Sequence, residues 1–191
     1  TLSQANVNNS WHLYGFTNEL VSLGNSADFM EIPGLYNTGV DDSGVPLPNN
    51  AASIDPHYQI TANPNATGPD AHVQDESVFP IAGPWVNNSA TSKWIAPEFN
   101  TQNSAAGDYT YLLEFDLSGL DPTTAEISGL WATDNDGGDI LLNGNVVASG
   151  NNQFGELVEF AIPVGSPCIE GINTLEFNLN NAATAYTGLR V

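Results

Sequence analysis

The chain has 191 residues, enough for one domain of ordinary size. Its 22 Asp and Glu stand against Lys93 and Arg190 alone, a formal charge of −20, so nucleic acid and anionic membrane are repelled and polyanion binding is all but excluded. The partners such a surface favours are cations, neutral polymers such as polysaccharides, or further copies of the chain with cations between them; solubility in a salty medium is the competing account of the charge.

Cys168 is the only cysteine, which rules out an intrachain disulfide and a thiolate metal cluster and predicts a buried thiol. No apolar run approaches the roughly 20 residues of a membrane-spanning helix, so no direct membrane insertion is expected. The start at Thr1 is expected of a processed, exported protein or of a trimmed chain, and calcium-type acidic turns fill best outside the cell.

Over the first hundred or so residues Pro, Gly and Asn interrupt nearly every apolar run, leaving short strand signals only at 11–16, 20–23 and 57–61. Long ordered loops are predicted here. Ten aromatic residues, among them Trp11, Phe29, Tyr36, Tyr58, Trp85 and Trp94, are too many for a disordered tail, so this half is expected to pack onto the rest. Residues 1–44 read as an N-terminal segment lying on the domain or on a neighbouring chain, and 45–191 as the domain proper. Three Asn-x-Ser/Thr triplets, beginning at Asn8, Asn65 and Asn87, match the glycosylation pattern, as chance matches do in an Asn-rich chain.

From Tyr109 the apolar period becomes two. Tyr109, Tyr111, Leu113, Phe115 and Leu117 alternate with polar neighbours, and the same holds for Val158, Phe160 and Ile162 and for Leu175, Phe177 and Leu179. Turn signals lie between them at Ser118-Gly119, Asp121-Pro122, Asp136-Gly137-Gly138, Asn143-Gly144, 150–152 and 165–167. Regular strands without an amphipathic helix between them predict an all-β fold, an antiparallel sandwich or barrel.

Between two apolar strands, the run DNDGGD sets Asp134, Asn135, Asp136 and Asp139 within six residues. Side-chain oxygens at alternate positions suit a hard cation with six to eight oxygen ligands, so these four are the candidate calcium ligands. An EF-hand is ruled out, since Asn145 or Val146 falls where its bidentate Glu would stand. An ordinary hairpin turn, which needs Asp and Gly for its own geometry, is the competing reading, and the pair Asp41-Asp42 reads as a solvated loop.

Trp85 and Trp94 in loop-rich sequence, with Tyr58 and His57, are the candidate glycan-binding residues, offering flat faces for sugar rings; core packing competes for each, and most strongly for Trp131. Enzyme chemistry has little footing. No nucleophile elbow, metalloprotease helix or phosphate loop is present, His12, His57 and His72 are scattered, and with 22 acids some carboxylate pair always looks plausible.

The strand order with ATDNDGGDILLNG, then GINTL and the Asn180-Asn181 pair, resembles the galactose-binding-like jelly roll of carbohydrate-binding modules. A longer string over 45–191 (PLPNNAASIDPHYQI, FPIAGPWV, SKWIAP, GDYTYLLEFDLSGLDPTTAEISGLWATDNDGGDILLNG, TGLRV) is similar to exported bacterial proteins that carry a PEP-CTERM sorting tail. The resemblance implies export and a place at the cell surface or in extracellular matrix, not a reaction. It departs in two respects. No sorting tail follows Val191, and Tyr111-Leu112-Leu113 stands where relatives are expected to carry a basic residue.

The combined expectation is a non-catalytic extracellular jelly-roll sandwich that binds glycan or builds matrix, with structural calcium. The alternatives are a self-assembling subunit of a surface filament, sheath or layer, and a polysaccharide hydrolase or lyase acting through carboxylates or His57 and Tyr58.

Overall fold

The computed structural model describes residues 32–49, 53–150 and 153–191. Its framework is β1 (Ile54–Ala62), β2 (Asp70–Val73), β3 (Ile95–Ala96), β4 (Gly107–Asp116), β5 (Ile127–Asp134), β6 (Asp136–Leu142), β7 (Asn145–Ser149), β8 (Val158–Ile162), β9 (Ile172–Asn181) and β10 (Gly188–Arg190). Two short 3-10 turns, Thr101–Asn103 and Pro122–Thr124, are the helical elements among the described residues, and no helix there is long and apolar enough to cross a membrane. The fold is all-β and antiparallel, as the period-two alternation predicts.

The strands run β7-β6-β9-β4-β1-β2-β3-β10-β5-β8 in one sheet that curls on itself until it is nearly a barrel. Its backbone is the β4–β9 pair, in unbroken register from Gly107 opposite Asn181 to Asp116 opposite Ile172. Alternate residues of both strands point inward. Tyr109, Tyr111, Leu113 and Phe115 from one, with Leu175, Phe177 and Leu179 from the other, are all buried. Facing them are Ile127 and Trp131 of β5 and Phe160 and Ile162 of β8, so the main core lies between the two halves of the curled sheet.

The turn chemistry read from the sequence forms at Asn143-Gly144, where φ is +51° and +74°. Two consecutive left-handed residues match the right-handed twist of the flanking strands, and Asn and Gly tolerate that conformation best. At Pro122–Thr124 the Asp121 side chain accepts the N–H of Thr123 at 3.0 Å and caps the turn.

Residues 32–49 cross the end of the curled sheet. Asp116 N–H donates to Pro33 O (2.8 Å), Thr38 N–H donates to Val191 O (3.2 Å) and Val191 N–H returns to Thr38 Oγ1 (2.9 Å), tying the crossing to β4 and to the C-terminus. Ile32 and Leu35 are buried in the main core. The strand signal at 57–61 falls within β1, whereas those at 11–16 and 20–23 lie outside the described residues.

Candidate functional site

The site begins with one buried carboxylate. Asp55 at the start of β1 is 3 % exposed; its Oδ1 accepts the N–H groups of His57 (2.8 Å) and Tyr58 (3.0 Å) and its Oδ2 that of Gly39 (2.5 Å). Burial raises its pKa, and the three N–H donors pull the other way. One acidic side chain thus fixes the first turn of β1 and pins the 32–49 crossing against it.

Above this clamp, Tyr58 donates its hydroxyl to Tyr36 O at 2.9 Å, and the His57 ring stacks on the Tyr36 ring with centroids 3.7 Å apart and planes 11° from parallel. Tyr36 in turn donates its hydroxyl to Asp42 O at 3.2 Å. Asp41 accepts the N–H groups of Ser43 (2.8 Å) and Val45 (3.0 Å), closing a tight loop that holds Asp42 outward. The two acids read together as a solvated pair therefore differ. Asp41 is consumed by its own turn, while the Asp42 side chain is 90 % exposed and lies 3.7 Å from His57 Nε2.

Tyr36 and Asp42 line a cavity of about 600 Å³ whose walls come from residues 32–37, Val40, 42–46, Ala90 and Thr91. Ile32, Leu35, Val40, Val45 and Pro46 supply apolar wall; Tyr36, Asn37, Asp42, Ser43 and Thr91 supply polar groups. Asn37 is 5 % exposed and donates Nδ2 to Thr91 O at 2.8 Å, leaving its buried Oδ1 without a hydrogen-bond partner among the described residues. His57 Nε2 is likewise buried and without one. Buried polar atoms are nearly always paired, so the open Asn37 Oδ1 is the one unspent buried acceptor among the described residues that line this cavity.

Of the four glycan-binding candidates, His57 and Tyr58 contact the wall residue Tyr36 but do not themselves line the cavity. Trp85 and Trp94 do not line it either. They are 3 % and 0 % exposed and pack on each other with centroids 4.2 Å apart, in a second apolar cluster with Ile81 and Ala132. Trp131 and Ala132 are neighbours on β5 and enter different clusters, so this second one lies on the outer face of the strand. Both indole N–H groups are used internally, Trp85 Nε1 on Asp134 Oδ2 (2.8 Å) and Trp94 Nε1 on Val86 O (2.7 Å), which lets rings from loop-rich sequence turn inward at little cost.

The acidic run from Asp134 to Asp139 is also reshaped. It forms a tight strand-to-strand junction: β5 ends at Asp134 and β6 begins at Asp136, leaving Asn135 alone between them. Gly138 keeps this approach easy, since a Cβ there would sit 3.3 Å from Asn178 O of β9, a tight contact. Asp134 is 5 % exposed and turned to Trp85, with Oδ1 buried and unpartnered. Asp136 and Asp139 are exposed, Asp136 accepting from Gln153 Nε2 at 3.1 Å, while Asn135 Oδ1 accepts the Ala182 N–H at 3.1 Å. Among the described residues no three His, Cys, Asp or Glu side chains come together as a metal-ligand group.

The chain matches no family model, no curated protein and no solved structure, and these comparisons identify neither a PEP-CTERM family nor a galactose-binding-like domain. Function must therefore be argued from the cavity. In the sequence Tyr36 is only one of ten aromatic residues of the first half and Asn37 carries no motif; the signal that distinguishes them is tertiary, the Asp55 clamp drawing the crossing onto β1.

Proposed function

We propose that this protein is a non-catalytic, extracellular β-sandwich that binds a glycan in the cavity beneath the 32–49 crossing. The observation that carries the reading is the mixed wall of that cavity, in which the buried, unpartnered Asn37 Oδ1 sits among apolar groups. A sugar presents hydroxyl donors beside apolar C–H faces, and a recess of this size suits one or two rings. The −20 charge favours a neutral or basic saccharide over an acidic one. Residence outside the cell is part of the proposal and is supported by the acidic composition and the sequence resemblance.

The test is titration of the full chain with a panel of neutral, acidic and basic oligosaccharides, followed by calorimetry and by amide shifts at Tyr36 and Asn37. Tyr36→Ala should weaken the best ligand by roughly tenfold, about 1.4 kcal/mol of lost ring and hydroxyl contact, while the backbone carbonyl that holds Tyr58 remains. Silence across the whole panel sinks the reading.

A second reading, self-assembly, is favoured by strand β7. It ends the sheet, pairs with β6, and exposes 59 % of Val146. Residues 140–155 around it carry no charge, and the strand lacks the Lys or Pro with which edges are ordinarily guarded. If it seats a neighbouring chain, sedimentation of the full chain should show concentration-dependent growth that Val146→Lys suppresses. A single monomeric boundary up to millimolar protein rejects assembly.

A further inference from the structure

Resting on the glycan reading above, we infer that the cavity selects a saccharide with a free, protonated amine: an amino sugar set with its ammonium group against Asp42. The Asn37 amide nitrogen donates to Thr91 O and the Tyr36 hydroxyl to Asp42 O. What stays open is Asn37 Oδ1, an acceptor 95 % buried with its residue, and the Asp42 carboxylate, an acceptor on both oxygens. His57 Nε2 lies 3.7 Å from Asp42 Oδ1, beyond hydrogen-bond distance, and so does not spend that carboxylate. The cavity therefore asks its ligand for donors.

Charge sharpens that demand to an ammonium group. Lys93 and Arg190, the two basic side chains of the chain, are buried and spent elsewhere, Lys93 on Asn49 and Arg190 on Ser92 and the Asn87 carbonyl. Neither lines the cavity, so a uronate or sulfated sugar meets uncompensated negative charge there. A protonated amine gains charge-assisted hydrogen bonds to Asp42, and the field of a −20 chain concentrates cations at its surface. An N-acetylated sugar keeps the ring and loses the charge.

The experiment compares four probes on the full chain by calorimetry: a free-amine glucosamine tetramer, its fully N-acetylated counterpart, a neutral glucose tetramer and spermidine. The free-amine tetramer is expected to bind roughly tenfold or more tightly than the acetylated one, with the gap shrinking as salt is added. Asp42→Asn should abolish the gap between the free-amine and acetylated tetramers. Because Asp42 is exposed and its carboxylate holds no contact beyond His57 among the described residues, an unchanged melting curve shows the variant is folded. Equal affinity for the free-amine and acetylated tetramers overturns this inference and leaves the glycan reading standing. Spermidine binding as tightly as the free-amine tetramer overturns it too, by showing that charge alone is read. Failure of all three saccharides removes the glycan reading itself.

Discussion

Replacing Phe177 by Ala should remove about 3–5 kcal/mol of stability, the range for emptying a fully buried aromatic site. Phe177 is 0 % exposed at the middle of β9, and its ring meets Tyr58 of β1 (centroids 6.4 Å apart), Trp131 of β5 (5.8 Å) and Phe160 of β8 (5.7 Å). Two of these partners lie on the far half of the curled sheet, so this one side chain joins the halves through the core. A domain of this size holds about 5–15 kcal/mol in all, so the loss is a large part of the total. It should lower the melting temperature by roughly 6–20 °C, at about 2–4 °C for each kcal/mol. The control is Ile172→Ala on the same strand, where the side chain is 55 % exposed and the change should stay within about 0.5 kcal/mol. Equal effects of the two substitutions in denaturant melts would mean that β9 does not face the core as described.

How much was legible in the sequence depended on how local the determinant was. The β4 and β9 alternation is local: each strand carries its own period, and the inward set of one is the inward set of the sheet because a slip of one residue would expose all of it. Asn143-Gly144 is local in the same sense, two residues that tolerate positive φ where a tight hairpin demands it. The acidic run was half legible. Its Asp and Gly content says that the chain bends, but whether Asp134 points to solvent or to an indole is decided by Trp85, 49 positions away. Trp85 and Trp94 misled for a related reason, since a loop assignment says nothing of burial when the loop folds back on the outer face of β5 and its N–H groups find acceptors there.

The cavity was the least legible feature of all. Its polar wall depends on a carboxylate at position 55 that accepts the N–H of residue 39, and on a tyrosine at 58 that reaches the carbonyl of residue 36. None of these four positions carries a motif, and Asp55 in the sequence is one acid among 22. Yet the same composition that hid the site limits what it can hold: with both basic residues buried in other duties, the recess has no counter-charge for an anion.

Asp134→Asn should flatten the dependence of stability on pH between about 4 and 7 and leave the protein as stable as, or more stable than, the native chain at neutral pH. Burial pushes the Asp134 carboxyl up to about 6; the Trp85 indole N–H lowers it and the neighbouring Asp136 charge raises it further. In the unfolded chain the group returns to the ordinary carboxylate value near 3.9. The folded state therefore binds this proton more tightly, so stability is free of penalty below pH 4, falls as pH rises through the interval from 4 to 6, and bears the full cost above it. At 1.36 kcal/mol per pKa unit that cost is about 3 kcal/mol. Asn keeps an acceptor for the indole and cannot ionise. Against the gain stands an amide nitrogen placed where Oδ1 now has no partner, a new buried donor worth roughly 1–3 kcal/mol if it stays unpaired. Absolute stability at pH 7 thus depends on two opposing effects, whereas the slope does not. Asp55, whose pKa is also raised by burial, keeps a slope of the same sign in both proteins, so the measured quantity is the difference between the two curves. Denaturant midpoints from pH 4 to 8 should converge at the acid end and part by pH 7, apart from a constant offset. Parallel curves throughout would show that Asp134 is already solvated in the folded chain, and the Trp85–Asp134 contact that anchors the second apolar cluster to β5 would have to be withdrawn.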